Sequence, residues 1–320
     1  MRLLVAGGAG FIGSVLCPML RERGHDVVVA DLLWFGNRLP AEIPVDQRNL
    51  FDLTADDLRG YDQVIFLAGL SNDPMAEHSP ARNFVENAAL PSYLAFAARR
   101  AGAKRFVYAS SCSVYGYTVN ELYDEDAPVV CDYPYGISKL QGERGVMQME
   151  APGFSTIALR QGTVCGYSPR MRFDLIVNTM FRSAMVNGEI TVNNPAIWRP
   201  LVDVRDAAEA FIRAVEAEPS VSGIFNVGAG NFTVGEIAES VRDELAALHG
   251  DAVPIRVKHI EDFRNYKVSS ARAERVLGWR ARYGVADMVR SLYERRAEFG
   301  DFSDDVFFNI QTFKKLQAAT

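Results

Sequence analysis

The stretch Leu3-Leu4-Val5-Ala6-Gly7-Gly8-Ala9-Gly10-Phe11-Ile12-Gly13 decides the fold. Four apolar residues in a row have the pattern of a strand buried on both faces of a parallel sheet. Glycines then fall at G-x-G-x-x-G spacing (Gly8, Gly10, Gly13) and at G-x-x-G-x-x-G spacing (Gly7, Gly10, Gly13). Glycine is needed where a chain turns sharply and where backbone must approach a pyrophosphate. A helix is expected next, with Phe11, Ile12, Val15, Leu16 and Leu20 on its apolar side and Gly24 at its end. Its N-terminal N–H groups and dipole favour phosphate charge. A second apolar run, Val27-Val28-Val29-Ala30, stops at Asp31, 18 residues past Gly13. That is near the distance at which a carboxylate accepts from a ribose 2′-OH. Strand, loop, helix, strand and terminal acid in register predict dinucleotide binding on a Rossmann-type, doubly wound parallel α/β sheet. The carboxylate repels a 2′-phosphate, and Leu32 and Leu33 follow it, so NAD is favoured over NADP; Arg38 is the nearby residue that argues the other way.

Outward from this unit the alternation continues. Strands are expected at Val45–Arg48, Gln63–Leu67, Arg105–Ala109 and Thr156–Leu159, and a long helix from Pro80 to Ala101. Further on, Ile190–Val192, Pro200–Val204 and Ile224–Val227 read as strands. Asp206–Ala217, with Asp206 near its cap, Val234–Leu248 and Val285–Phe299 read as helices. Such alternation gives a sheet covered by helices on both faces. We expect residues 1–165 to form the cofactor domain and 166–320 mainly a smaller α/β substrate domain. The chain is expected to return to the first domain at about 202–227.

With 320 residues, 48% of them hydrophobic, the chain can bury a large core. A net charge of −6 argues against a nucleic-acid-coating surface. No apolar run reaches the ~18 residues of a membrane helix, and the N-terminus lacks a signal-peptide pattern. Cys17, Cys112, Cys131 and Cys165 show no C-x-x-C pairing and read as reduced thiols of a cytoplasmic protein. The four histidines do not cluster with them, so no metal site is expected.

Tyr135-Gly136-Ile137-Ser138-Lys139 places a phenol and an ammonium four residues apart, on one face if the segment is helical. A cation beside a phenol favours the phenolate and lowers its pKa from about 10, which would make Tyr135 a proton-transfer group. At Tyr108-Ala109-Ser110-Ser111-Cys112-Ser113 a strand ends in hydroxyls, where ligands sit in open α/β sheets.

Together these motifs resemble the extended short-chain dehydrogenase/reductase superfamily, and within it the nucleotide-sugar epimerase/dehydratase branch, over nearly the whole chain. The resemblance implies Ser111, Tyr135 and Lys139 as catalytic residues. It implies NAD contacts from Gly7, Gly10, Phe11, Ile12, Gly13, Asp31, Asn49, Leu50, Leu67-Ala68-Gly69, Asn87, Tyr135 and Lys139. Trp198-Arg199-Pro200 resembles the segment whose arginine binds the substrate diphosphate, and Asp262-Phe263-Arg264 resembles a later one offering a second arginine, Arg264. Ser71, Ser113, Thr163, Arg170, Arg172 and Asn178 are expected to touch substrate. The implied mechanism has Tyr135 remove a sugar hydroxyl proton as hydride leaves the same carbon, Ser111 hold the reacting oxygen and Lys139 bind a cofactor ribose.

Departures narrow the reading. The family's 4,6-dehydratases carry two carboxylates after the catalytic hydroxyl; here Cys112 and Ser113 stand there, so dehydration by that route is not expected. Cys112 reads as a buried strand-end thiol, with a role as acid or base the alternative. Ser71 stands where some 4-epimerases have lysine, Leu90-Pro91 replaces a Gly-Thr pair, and Thr163 replaces a substrate-contacting asparagine. The expected activity is epimerisation of a nucleoside-diphosphate sugar, at C4, by a homodimer. A 4-ketosugar reductase and a non-catalytic cofactor-binding protein are the alternatives.

Overall fold

Leu3 to Ala6 lie in β1 (Arg2–Ala6), buried on both faces as a central parallel strand requires. The computed structural model describes residues 1–258 and 265–318, with the backbone alone for 117–120. The glycine turn leads into α1 (Gly13–Glu22), then β2 (Asp26–Asp31), β3 (Val45–Gln47) and β4 (Gln63–Phe66). Short α2 (Asp73–His78) is capped by Asn72, which accepts from the Met75 N–H.

The expected helix over 80–101 forms in three pieces without a break: α3 (Pro80–Phe84), a π turn (Val85–Ala89) and α4 (Leu90–Ala101). Pro91 explains the interruption. It has no N–H for the carbonyl of Asn87, four residues back. The hydroxyl of Tyr108, from β5 (Arg105–Ser111), donates to that carbonyl instead, at 3.1 Å.

After β6 (Tyr117–Tyr123), α5 (Pro134–Met147), β7 (Ser155–Gln161), β8 (Thr163–Cys165), α6 (Ile176–Asn187) and β9 (Ile190–Asn193) comes β10 (Trp198–Asp203). It feeds α7 (Val204–Glu216), whose cap is Asp203, accepting from the Arg205 N–H at 2.8 Å. Asp206 lies in the first turn, near the cap as expected, and accepts from the N–H groups of Arg282 and Tyr283, tying a distant loop to this helix. The remaining elements are β11 (Gly223–Val227), β12 (Gly230–Thr233), α8 (Val234–His249), β13 (Ile255–Lys258), β14 (Asn265–Val268), α9 (Ala271–Leu277), α10 (Val285–Glu294) and α11 (Asn309–Ala318).

The main sheet has the order β3-β2-β1-β4-β5-β7-β11, parallel throughout. Winding reverses between β1 and β4, so a crevice opens beyond their C-terminal ends. The chain leaves this sheet after β7 and re-enters it with β11. A second core, with Phe173, Phe181, Leu201, Ile237 and Leu292, packs α6, α8 and α10 around the small strands. Among the described residues no helix is long and apolar enough to cross a membrane.

Candidate active site

A cavity of about 670 Å³ lies in the crevice and reaches the substrate-side elements. Its floor is the glycine turn. Gly7 has φ 79°, and a Cβ there would stand 2.5 Å from the Ala68 amide nitrogen; a Cβ on Gly13 would overlap the Gly8 carbonyl. The turn can close this tightly only with glycine, which leaves bare backbone facing the cavity beside the N-terminus of α1. Asp31 also lines the cavity, its carboxylate accepting from the N–H groups of Ala9 (3.0 Å) and Leu33 (2.8 Å). Burial pushes its pKa up, while those N–H groups and the charge of Arg170 oppose the rise.

Phe11, Ile12, Gly10, Asn49, Leu50, Leu67, Ala68 and Gly69 line the same half. Asn49 also shapes its own turn by accepting from the Phe51 N–H. Asn87 is fully buried behind this wall. Its side chain occupies the space a Cβ on Gly69 would fill, and its amide donates to the Leu70 carbonyl at 2.8 Å. It braces the Leu67–Gly69 loop rather than facing the cavity. A backbone cradle that tolerates no Cβ and a carboxylate at the end of β2 fit an adenine dinucleotide.

The proton-transfer residues sit on α5. Tyr135, Lys139 and Glu143 follow at i, i+4 and i+8, so one helix face carries all three. Glu143 makes two bonds to the Arg160 guanidinium, at 2.7 and 2.9 Å, and accepts from the Ser110 hydroxyl at 2.6 Å. Both ions are almost fully buried, so each satisfies the other. Lys139 is 6% exposed, with its ammonium 4.7 Å from the centre of the Tyr108 ring. Burial pulls its pKa down to about 7, against the attraction of Glu143. Burial and the Asp73 carboxylate push the Tyr135 phenol up to about 12, while Arg172 and a hydrogen bond with Ser111 pull it back. The lowered phenol pKa expected from Lys139 is thus absent in the protein alone, where desolvation is the largest influence on the phenol. Ser111 meets Tyr135 from the end of β5 and accepts from the Ser113 hydroxyl at 2.8 Å. Cys112 is fully buried, 3.1 Å from the Arg160 carbonyl, and burial raises its thiol pKa strongly.

On the other half, Ser71, Ser113, Thr163, Arg172 and Arg199 line the cavity. Arg172 is paired with Asp174 through two bonds of 2.8 and 3.0 Å, and Asn72 donates to the same carboxylate. The Arg199 guanidinium lies 5.9 Å from the Tyr266 ring centre. Asn178 is fully buried and does not face the cavity; its amide bonds the Gly166 backbone and the Arg172 carbonyl, holding the loop that carries Arg172. Arg264 lies outside the described residues. Arg170 stands on the cofactor side, against Phe35. Asn309, which also lines the cavity, carries no sequence signal: nothing in its neighbourhood predicts that the start of α11 reaches the site.

Similarity to known proteins places the chain. UDP-glucose 4-epimerase of Corynebacterium glutamicum is 28% identical over 301 residues, covering 87% of this chain and 90% of the relative. The solved structure of MoeE5 in complex with UDP-glucose and NAD is 28% identical with a TM-score of 0.81, covering 93% of this chain and 100% of that one. UDP-glucose-4-epimerase from Stenotrophomonas maltophila, solved with bound NAD and formylated UDP-arabinopyranose, is 25% identical with a TM-score of 0.83, covering 93% and 98%. The model of the NAD dependent epimerase/dehydratase family matches residues 3–228, from β1 through the last strand of the cofactor sheet, and the chain belongs to that family.

Proposed function

We propose that the chain is an NAD-dependent epimerase of a nucleoside-diphosphate sugar, acting at C4 through a transient keto-sugar. The observation that carries this is the convergence of Ser111, Tyr135 and Lys139 on the cavity that the glycine turn and Asp31 line. NAD, when bound, supplies a hydride acceptor that returns the hydride within the same turnover. Tyr135 takes the substrate hydroxyl proton as that carbon is oxidised and gives it back on reduction. Ser111 holds the reacting oxygen and stabilises its developing charge. A positively charged cofactor held in this cleft would lower the Tyr135 pKa, which Lys139 alone does not do. No carboxylate follows Ser111, so the chain offers no acid–base pair there for eliminating water.

Arg172 and Arg199 are proposed to hold the sugar diphosphate, with Arg264, and Ser71, Ser113 and Thr163 to contact the sugar; Asn178 would act through the Arg172 loop. Residues 1–165 with 202–227 would serve the cofactor, and the rest of 166–320 the substrate. A cytoplasmic homodimer completes the proposal. The four free cysteines support the compartment, and an exposed apolar helix face supports the dimer. A 4-ketosugar reductase would use the same residues, and a phenol held near 12 suits a proton donor.

The test is direct. Protein purified with bound oxidised NAD is screened against UDP-, dTDP-, GDP- and CDP-sugars, with products identified by mass and NMR; an epimer of equal mass is expected. Tyr135→Phe should lose turnover by roughly 10²–10⁴-fold while keeping NAD. A protein purified empty that oxidises NADPH stoichiometrically with a 4-keto sugar would overturn the epimerase assignment in favour of the reductase.

A further inference from the structure

Arg170 is 4% exposed and lines the cavity. A guanidinium taken out of water is costly unless its N–H groups are met. Here Nη2 donates to the Asn309 side-chain oxygen at 2.5 Å. Nε and Nη1 are equally buried and have no hydrogen-bond partner among the described residues. The three N–H donors that these two nitrogens carry are therefore unspent, on a charged group that lines the site. Its neighbour Arg172 differs, because Asp174 accepts two bonds from it. The Arg170 plane is fixed by the Phe35 ring, 3.7 Å from the guanidinium carbon.

The surroundings say which anion this cation awaits. The loop before it is pinned to the cofactor half, where the Ser168 hydroxyl donates to the Phe11 carbonyl at 2.7 Å. Phe11 belongs to the turn that opens α1, where phosphate charge is favoured. Phe35 follows β2, and Asp31, at the end of β2, feels the Arg170 charge. That carboxylate disfavours a 2′-phosphate beside it. From the other side, Asn309 also donates to the Ser71 hydroxyl at 2.6 Å, and Phe313 of the same helix packs on Trp34 with ring centres 5.7 Å apart. The start of α11 thus aims Arg170 and steadies the Trp34–Phe35 segment together.

We propose that Arg170 is a ligand of the dinucleotide pyrophosphate, aimed by Asn309 of the C-terminal helix, so that this helix governs how tightly the cofactor is held. The proposal rests on the cleft being an NAD site. A buried guanidinium meeting a phosphate oxygen makes charge-assisted bonds, the strong kind. Asn309 is a positioning residue.

Full-length wild type, Arg170→Met, Arg170→Lys and Asn309→Ala, freed of nucleotide and matched in melting temperature, are titrated calorimetrically with NAD, ADP-ribose, adenosine, NADP and UDP. Arg170→Met should bind NAD and ADP-ribose roughly 10–100-fold more weakly. Adenosine, which has no phosphate, should bind as before. Arg170→Lys should recover part of the loss, and Asn309→Ala should show the same pattern at smaller size. Unchanged NAD affinity in Arg170→Met would overturn the proposal. So would an equal loss for adenosine, which marks a structural role, a loss confined to NADP, which marks a 2′-phosphate, or one confined to UDP, which moves Arg170 to the substrate. Wild type that binds no NAD would instead overturn the functional reading itself, and this one with it.

Discussion

Lys139 shows how a single residue can be read correctly for position and incorrectly for charge. The four-residue spacing to Tyr135 puts both on one face of α5, as a helix dictates. What spacing cannot show is that the face is buried, because burial is set by β5 and β7, far away in sequence. Burial holds the folded-state pKa of Lys139 at about 7, against 10.5 for the ordinary side chain. The sign follows. Between pH 7 and 10.5 the unfolded chain binds more protons than the folded one, so stability rises with pH across that window. Below pH 7 both states are protonated and the full desolvation cost is present. Lys139→Met should therefore stabilise the ligand-free protein at pH 6.5, by about 1–4 kcal/mol. The gain should shrink by pH 9.5, and turnover should be lost throughout. Urea titrations at the two pH values check this, and a gain that is the same at both would contradict the assigned charge state. The glycines, Asp31, Ser111 and Tyr135 were legible because each is demanded by local chemistry. Glu143, at i+8 on the same face, was not singled out, because its role depends on Arg160, which only the sheet brings near.

At the scale of elements, most strands and helices follow from apolar runs and end signals, and the differences have local causes. The helix over 80–101 is one rod in the sequence, yet the structure widens it to a π turn over Val85–Ala89. Pro91 forces the loss of one hydrogen bond. Whether the helix breaks or adjusts depends on whether another donor reaches the Asn87 carbonyl. Tyr108 provides it, from a strand no helix-based reading would consult. The same turn places the Asn87 side chain under Gly69, so the helix irregularity and the cofactor loop share a support. Tyr108→Phe should then leave a buried carbonyl unpaired and cost about 1–3 kcal/mol in chemical denaturation, with an unchanged dependence on denaturant. A cost within experimental error would show that the carbonyl is satisfied in another way. Asp203 and Asp206 divide the start of α7 between them for a related reason. Both are acids at a helix start, and the position of the first turn decides which one caps.

At the scale of the whole molecule, the described residues include an exposed apolar face on the helices beside the active site. Val85, Phe96 and Ile137 are 43%, 39% and 37% exposed, on helices that pack against one another beside the active site. Ala89 and Phe96, two turns apart and both exposed, extend the stripe that Val85 begins, and Ile137 lies two residues from Tyr135. Tyr135 and Lys139 point inward from α5 while Ile137 points outward, so a contact that fixes the outer face also steadies the inner one. Two copies related by a twofold axis would bury this stripe against itself, each surface meeting its own equivalent. An interface of stable size, on the order of 1,200–2,000 Å² in total, needs such a stripe at its centre. Wild type should scatter light with the mass of two chains, and its melting temperature should rise with protein concentration. Phe96→Glu sets like charges against each other across the axis and should sediment as one chain, with a melting temperature independent of concentration. It should keep its NAD affinity, because Phe96 does not line the cavity, and lose part of its turnover as α5 loosens. Wild type found at the mass of a single chain would rule the dimer out and leave the stripe to some other partner.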